Sequence, residues 1–164
     1  QMEEQPDRLD GGGGGGDGNH TIQNNLLWHN GEDGRNNNGV IDICYIYNNT
    51  SSDHIETGMR NFTMFDTVAH VLTNNLSIAG NGVSINAAAV VTTNSWNNPP
   101  NITVNLTDFV STDFTANTGS RKTDGSLPDS DFLKLAASKP EIDVGTNVGL
   151  PFNGSAPDLG AYER

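Results

Sequence analysis

The sequence predicts an all-β solenoid, a fold in which short strands stack coil upon coil. Asparagine recurs directly after short β-favouring runs, at Asn24-Asn25, Asn48-Asn49 and Asn74-Asn75, and Asn94 stands in the same relation to the run before it. The three pairs are 24 and 26 residues apart, and Asn94 follows 20 residues after Asn74. A unit of this length cannot bury its own apolar face, whereas stacked copies share a common core.

Composition supports a folded chain with a narrow core. Apolar residues make up 34 % of the 164 residues and charged residues only 17 %, and Asn, Thr, Ser and Gly fill the deficit. Disordered chains combine high charge with few β-branched residues, but Val, Ile and Thr are plentiful here. The net charge is −12, and the eight Lys and Arg form no cluster. Nucleic acid is therefore excluded as an expected partner, and no apolar stretch is long enough to predict a membrane span.

The elements of the first half follow in order. Residues 1–19 are polar and contain an unbroken run of six glycines, which predicts either a flexible linker or a tight loop where the backbone approaches a ligand or a neighbouring coil. Residues 20–30 predict two short strands around an asparagine turn, and residues 31–39 predict a loop. Residues 40–47 predict a strand with two largely apolar faces, so its register is ambiguous.

The second half continues the strand pattern and then changes character. Residues 62–73, 76–86 and 87–93 predict further strands, and Ile102-Thr103-Val104 follows them. Residues 129–137 predict a helix, because proline precedes the segment, acidic residues stand in its first turn and a proline follows it.

These patterns divide the chain into three parts. We expect a polar, glycine-rich segment over 1–19, the coils over 20–107 and a loop-rich C-terminal cap with one short helix over 108–164. Nothing comparable closes the N-terminal side of the coils, and an exposed sheet edge pairs readily with another chain. The sequence therefore predicts the C-terminal piece of a longer solenoid, with self-association through an uncapped N-terminal coil.

Several residues invite a functional interpretation, and for each a structural one is favoured. Cys44 lies in a strand pattern and is expected to be buried. The histidines show no zinc-ligand spacing, and residues 32–36 favour a solvated loop between coils over a cation site. The aromatic residues of the coils favour packing over stacking on sugar rings; they are Trp28, Tyr45, Tyr47 and Trp96.

Two segments of the chain carry a resemblance to a known family. The first comprises Arg8-Leu9-Asp10-Gly11-Gly12-Gly13, residues 19–38, and Ile46-Tyr47-Asn48-Asn49-Thr50. The second comprises Asp124-Gly125-Ser126-Leu127-Pro128, Phe132-Leu133-Lys134-Leu135-Ala136, Ile142-Asp143-Val144-Gly145 and Pro157-Asp158-Leu159-Gly160-Ala161-Tyr162-Glu163. Together they resemble the later coils and C-terminal cap of the family 9 polysaccharide lyases, which are pectate lyase-like enzymes secreted by bacteria.

The resemblance implies a fold, a chemistry and a location. The fold would be a right-handed parallel β-helix of roughly four or five coils. The reaction would be β-elimination on an acidic polysaccharide such as pectate, in which a base removes the proton α to the uronate carboxylate. Calcium would stabilise the developing charge as the cofactor. The protein would be secreted or displayed at the cell surface.

The resemblance also assigns a catalytic position. The family's base is a lysine just before the glycine run, and Arg8 stands at the matching position here. Arginine normally stays protonated, although other pectate lyase families use it as the base. The family's calcium carboxylates lie upstream and include an Asp-Asp-Gly-x-Asp motif that this sequence does not contain. The carboxylates near Arg8 match no calcium loop; they are Glu3, Glu4, Asp7, Asp10 and Asp17.

Two other functions remain open from the sequence. Guanidinium geometry favours Arg8 as a ligand of a substrate carboxylate or as a structural cation over Arg8 as the base. The chain is then a non-catalytic polysaccharide-binding or cell-surface module on the same fold. The third alternative is a structural fragment whose sequence records ancestry alone.

Overall fold

The structure is a computed structural model, and it describes residues 19–37, 41–54, 59–78, 82–97, 101–125 and 128–164. Ten short strands occur in these ranges. They are β1 (His20–Gln23), β2 (Leu26–Trp28), β3 (Arg35–Asn37), β4 (Cys44–Tyr47), β5 (Thr50–Ser52), β6 (Phe62–Met64), β7 (Val71–Thr73), β8 (Leu76–Ser77), β9 (Val83–Ile85) and β10 (Val90–Thr92).

The strands form three parallel sheets that the chain visits in a fixed order. Sheet 1 has the order β1-β4-β7-β10, sheet 2 the order β2-β5-β8 and sheet 3 the order β3-β6-β9. Every named pair is parallel and in register. Each coil therefore contributes one strand to each sheet, and a parallel bridge between Ile78 and Val104 extends sheet 2 into the fourth coil. The predicted parallel β-helix is confirmed.

The interior core lies between the three sheets. It consists of buried side chains that alternate with outward-facing ones along the strands; they are Leu27, Cys44, Ile46, Phe62, Met64 and Leu72. Cys44 and Ile46 are 1 % and 0 % exposed, which settles the register of the strand predicted over 40–47 and confirms that Cys44 is buried. Trp96 closes the last coil, with its ring 5.2 Å from that of Phe62.

A ladder of asparagine side chains stands at the corner between sheets 1 and 2. Asn25 donates its side-chain amide to Oδ1 of Asn49 at 2.9 Å, Asn49 donates to Asn75 at 2.9 Å, and Asn75 donates to Asn94 at 2.7 Å. The same Oδ1 atoms accept the backbone N–H groups of Asn25, Asn49 and Asn75 at 2.9–3.0 Å. The ladder therefore satisfies donors and acceptors that the tight turn would otherwise bury without partners.

Each asparagine of the ladder directly follows a residue in the left-handed conformation, and the ladder ends within the fourth coil. Asn24, Asn48 and Asn74 have φ values of 56°, 51° and 59°, a conformation that asparagine tolerates well. Thr93 takes this position in the fourth coil with φ 52°. Asn97 of the same coil supplies the last acceptor, because its Oδ1 lies 2.8 Å from the backbone nitrogen of Asn94 and 3.1 Å from its side-chain nitrogen.

The C-terminal segment, residues 105–125 and 128–164, builds a second core on the outer face of sheet 2. Leu76 and Ile78 point away from the interior and pack with buried side chains of this segment. Those side chains, together with Val104, complete the outer core; they are Phe109, Phe132, Leu133, Leu135 and Leu159. Sheet 2 is thus covered on both faces, which explains why its outward Thr50 and Ser52 are also buried.

Residues 141–164, here called the strap, bind the coils through main-chain hydrogen bonds. Gly160 donates its N–H to the Asn74 carbonyl at 2.8 Å, and Ala161 donates to Oγ1 of Thr50 at 3.0 Å. Asn74 also bonds Thr146 twice, since its amide donates to the Thr146 carbonyl at 2.8 Å and its Oδ1 accepts the Thr146 N–H at 2.8 Å.

The helix predicted over residues 129–137 is wrong. Phe132 forms a bridge with Ser111, and Leu135 forms one with Phe109, so the segment is largely extended. Leu133 between them has a left-handed φ of 55°. Burial of these three apolar side chains in the outer core outweighs a weak helix propensity. The short helices of the C-terminal segment are instead 3-10 helices, at Leu106–Asp108 and Phe114–Asn117.

The loop predicted over residues 31–39 is also partly wrong, because Arg35–Asn37 is β3. This polar strand is held by sheet 3, in which Arg35 pairs with Phe62 and Asn37 pairs with Met64. The strands predicted within 20–30, 40–47, 62–73, 76–86 and 87–93 are confirmed in position, although they are shorter than predicted, whereas Ile102-Thr103-Val104 forms only an isolated bridge at Val104. The division at residues 19 and 107 stays a prediction. None of the helices in the described ranges has the length and apolar character needed to cross a membrane.

We expect the ladder to dominate the stability of the coils. Asn75→Ala removes the acceptor of the Asn49 backbone N–H, one acceptor of the Asn49 side-chain amide and a donor to the Ile46 carbonyl, all in a buried site, so the free energy of unfolding should fall by roughly 3–5 kcal/mol. Asn25→Ala is the matched control, because the Asn25 side chain is only partly buried and should cost about 1 kcal/mol. Urea unfolding measures both variants. Equal losses would contradict the ladder's role.

Candidate functional site

Sheet 3 and its two flanking corners include residues 32–36, the segment that the sequence analysis weighed as a cation site. Corner 2–3, between sheets 2 and 3, comprises residues 29–34, 53–54 and 59–61. Corner 3–1, between sheets 3 and 1, comprises residues 41–43, 65–70 and 86–89. Arg8, the catalytic residue implied by the resemblance, lies outside the described residues.

The outer face of sheet 3 carries a column of polar side chains. Asn36, Thr63 and Ser84 are register neighbours on successive coils, and they alternate with interior residues. Oδ1 of Asn36 and Oγ1 of Thr63 are buried and have no hydrogen-bond partner. Buried polar atoms without partners are uncommon in native structures and suit a bound water or a polar ligand group.

A buried histidine organises corner 3–1. Nδ1 of His70 accepts the backbone N–H of Cys44 at 3.0 Å, so the ring proton resides on Nε2, which lies 2.6 Å from Oδ1 of Asp66. The side-chain amide of Asn37 approaches the same Nε2 at 3.2 Å. His70 therefore contacts Asn37 of β3, Cys44 of β4 and Asp66 of corner 3–1, and it holds Asp66 beside sheet 3. The second oxygen of Asp66, Oδ2, is buried without a partner.

Corner 3–1 also exposes two large apolar side chains. Ile41 is 65 % exposed and Phe65 is 55 % exposed, and Phe65 follows β6 directly. The backbone N–H of Phe65 donates to the Asn37 carbonyl at 2.9 Å, which fixes the main chain although the ring faces solvent. An exposed aromatic ring held on a rigid corner is well suited to pack on the apolar face of a sugar ring.

Corner 2–3 contains the acidic loop, and its geometry is structural. Oδ1 of Asp33 accepts the backbone N–H of Arg60 at 2.7 Å, and the N–H of Gly34 donates to the Arg60 carbonyl at 2.8 Å. A side chain at Gly34 would collide with Ser51 and His54, so this coil requires glycine there. Arg35 is 4 % exposed. Residues 31–37 thus bind the next coil, and the predicted solvated loop is wrong for Gly34 and Arg35.

His54 lies buried beneath this corner in a polar pocket. Its Nε2 is 2.9 Å from Oγ of Ser51, and the same hydroxyl donates to the Asn61 carbonyl at 3.0 Å. Burial lowers the pKa of His54 to about 4, although the carboxylates of Asp33 and Asp53 partly oppose this effect. The ring is therefore neutral at pH 7 and acts as a hydrogen-bonding group of the coil.

The remaining candidate residues take structural positions. His29 and Asp53 form an exposed pair at 3.2 Å, and Phe114 stacks on the His29 ring at 6.3 Å. Trp28 packs edge-on against Phe132 with centroids 5.0 Å apart. The packing predicted for Trp28 and Trp96 is confirmed. Tyr45 and Tyr47 pack on each other, with centroids 6.0 Å apart.

The described residues do not fit a calcium site. In this part of the chain no group of three or more His, Cys, Asp or Glu side chains lies close enough to hold a metal ion. Asp143 and Asp158, two carboxylates of the strap, accept backbone N–H groups of the same segment. Calcium stays an expectation from the resemblance, and no catalytic step is assigned to it here.

Comparison with known proteins identifies relatives of this fold. No family model matches the chain. Pectate lyase L of Dickeya chrysanthemi is 35 % identical over 160 residues, which cover 90 % of this chain and 34 % of that protein. Pectate lyase L of Paenibacillus polymyxa (strain SC2) is 33 % identical over 138 residues, or 80 % of this chain and 29 % of that protein.

A solved structure agrees with these sequence relatives. The crystal structure of pectate lyase Pel9A superposes with a TM-score of 0.71 and 30 % identity, covering 89 % of this chain and 36 % of that one. The chain is a parallel β-helix homologous to the family 9 pectate lyases, and the resemblance read from its sequence is confirmed. The chain spans about a third of the length of the curated relatives it matches.

Sequence reasoning missed the groups that organise the two corners. Asp66 and His70 stand four residues apart and resemble no metal motif, and Ser51 and His54 lie in an ordinary polar stretch. The available signal was the coil period. His70 and Ser51 lie one coil from Cys44 and Ser77, respectively, so each could have been placed on a face once the register was known.

Stability should fall on acidification through His54. Between pH 6.5 and about 4 the unfolded chain binds a proton that the folded His54 does not, so the free energy of unfolding decreases by roughly 3 kcal/mol as the pH drops through this window. His54→Gln should remove this pH-dependent part of the free energy of unfolding. Urea unfolding of the wild type and the variant at several pH values measures it as the difference between their stabilities.

The exposed His29→Gln variant is the matched control and should retain the wild-type slope in that window. If His54→Gln and the wild type lose stability in parallel between pH 6.5 and 4, the lowered pKa of His54 is contradicted.

Proposed function

We propose that this chain is part of a secreted or cell-surface lyase that cleaves acidic polysaccharide by β-elimination. The observation that carries the proposal is the 35 % identity to pectate lyase L over 90 % of the chain, combined with the Pel9A fold. Because the chain spans about a third of these relatives, the complete activity belongs to the proposal.

The substrate would lie along the outer face of sheet 3 and the adjoining corner 3–1. Each coil passes from sheet 3 to sheet 1 through this corner, and the segment with Arg8 and the glycine run leads into β1, the first strand of sheet 1. The outer face of sheet 2 is unavailable to a polymer because the C-terminal segment covers it. Asn36 and Ser84 are partly exposed on the remaining face, and Phe65 offers a ring beside it.

Arg8 is the proposed base. Its guanidine would take the C5 proton of the uronate, the C4–C5 double bond would form, and the glycosidic oxygen on C4 would leave with the bonding electron pair. The reaction requires the neutral form of the guanidine, which is scarce unless the site disfavours its charge. Stabilisation of the enolate-like carboxylate by a calcium ion is expected from the resemblance alone.

The arginine at the base position also favours a second function. A guanidinium binds carboxylates through two parallel hydrogen bonds, so the chain would then be a non-catalytic polysaccharide-binding module. Self-association through the N-terminal coil, proposed from the sequence, is compatible with either function and is measurable by size-exclusion chromatography.

One assay distinguishes these functions. Polygalacturonate with added calcium should give the ultraviolet absorbance of an unsaturated uronide, and Arg8→Ala should reduce kcat/KM by roughly 100-fold or more, as expected for a lost general base. Arg8→Lys restores the family's residue and should preserve activity. Binding without turnover would support the module, and a protein that neither binds nor cleaves the polymer would contradict both.

Phe65 should contribute to affinity for the polymer and not to the chemical step. Phe65→Ala is expected to raise KM, or the dissociation constant, about threefold to tenfold, because a lost aromatic contact is worth about 0.5–1.5 kcal/mol. Phe114→Ala removes a similarly exposed ring from the C-terminal segment and serves as the control. An unchanged affinity in Phe65→Ala would move the binding surface away from corner 3–1.

A further inference from the structure

Glu141 is a fully buried acid whose side chain has no hydrogen-bond partner. It is 0 % exposed, and neither Oε1 nor Oε2 is bonded. Asp108 and Asp158 are also buried, but each accepts backbone N–H groups, from Asn105 and from Asp143 respectively. Burial disfavours an ionised carboxylate at Glu141, because the group has lost water and no other described residue donates a hydrogen bond to it.

Two charged groups face Glu141. Lys139 lies on the same segment, and Asp108 lies at the end of the preceding 3-10 helix. The Lys139 ammonium pairs with Oδ1 of Asp108 at 3.0 Å, so it does not neutralise Glu141 fully. Burial raises the pKa of Glu141, and the Asp108 carboxylate raises it further, against smaller lowering by its own backbone and by Lys139. The docked structure therefore favours the protonated acid more strongly than water does.

Glu141 is the first residue of the strap, and it is hydrogen-bonded to a residue near the other end of the strap. The Glu141 carbonyl accepts the N–H of Leu159 at 2.9 Å, and the Leu159 side chain is 0 % exposed in the outer core. The residue after Leu159 bonds the Asn74 carbonyl, and the residue after that bonds Thr50. A disturbance at Glu141 thus acts directly on the hydrogen bonds that hold the strap to the coils.

We propose that Glu141 is a proton-controlled latch, which holds the strap on sheet 2 while its carboxyl group is protonated and loosens the strap when it ionises. The coils stay folded during this opening, because the interior core contains no strap residue. Opening withdraws Leu159 from the outer core and uncovers Leu76, against which Gly160 of the strap lies, while Phe109, Phe132, Leu133 and Leu135 stay on sheet 2.

The direction of the pH dependence follows from proton linkage. The pKa of Glu141 is raised by burial in the docked state, so its contribution to docking is complete below its ordinary value of 4.5 and is lost as the pH rises through the raised value. Within this window the opening equilibrium increases up to tenfold per pH unit. Burial also raises the pKa of Asp158 and Glu163, which adds opening in the same direction. The latch is therefore measured as a difference between variants.

The chain offers two tryptophans that report separately on the two cores. Trp28 packs on Phe132 in the outer core, and Trp96 packs on Phe62 in the interior. Trp96→Phe leaves Trp28 as the reporter of the outer core, to which the strap contributes Leu159, and Trp28→Phe leaves Trp96 as the reporter of the coils; hydrogen exchange reports on the strap itself. Glu141→Gln is introduced into each background, and Asp131→Asn, which removes an exposed carboxylate of the C-terminal segment, is the control.

The measurement is tryptophan fluorescence against pH, together with hydrogen exchange of residues 142–161 corrected for intrinsic rates. We expect strap protection to fall up to tenfold more per pH unit in the wild type and in Asp131→Asn than in Glu141→Gln, with Trp96 unchanged. Equal pH profiles for the wild type and Glu141→Gln would overturn the latch, and so would a Trp96 signal that changes together with Trp28.

A second measurement keeps the proposal testable if Glu141→Gln does not fold. The Glu141 carboxyl carbon of the wild-type protein, labelled with ¹³C, is titrated by NMR. A carboxyl that titrates above the ordinary glutamate range, in step with loss of strap protection, supports the latch. A carboxyl that titrates in the ordinary range contradicts it.

Discussion

The asparagine ladder is the constraint on which this structure depends. A coil that turns in two residues buries backbone groups at the corner, and a narrow interior offers little else to satisfy them. The amides of Asn25, Asn49, Asn75 and Asn94 meet this demand on successive coils, since each donates to the next and accepts the backbone N–H of the one before. Strand register follows, because a slip of one residue breaks every one of these bonds.

The ladder also determines where the open surface lies. With sheets 1 and 2 joined by a tight corner, the longer connections fall on either side of sheet 3, at corners 2–3 and 3–1. His54 and His70 fill these corners from within; His54 bonds Ser51 of its own coil, and His70 bonds Cys44 one coil away. Sheet 3 thus receives lateral support at both corners although its strands are short and β3 is polar.

The sequence predicted the repeat and the fold because the ladder asparagines are visible as a period. It failed where tertiary contacts decide the local structure. Phe132, Leu133 and Leu135 have spacing and flanking residues that suit a helix, but the outer face of sheet 2 draws them into an extended path. Arg35–Asn37 is too polar to be recognised as a strand, because its partners in sheet 3 are distant in sequence. The family resemblance assigned only Arg8, which lies outside the described residues, whereas Asp66, His70 and Thr63 form no motif and could be placed only through the coil period.

The end of the ladder at Asn97 has a consequence for how such proteins change in length. Each internal asparagine of the ladder donates its backbone and side-chain N–H groups to the next asparagine, and its Oδ1 accepts from the preceding one. Duplication of a coil in the middle of the ladder therefore creates no mismatch of donors and acceptors. The final rung is different, because Asn94 finds its acceptor in Asn97 of its own coil and requires nothing beyond it. Growth of the array by gene duplication is therefore confined to positions before this terminus, and the closing unit is inherited as one piece.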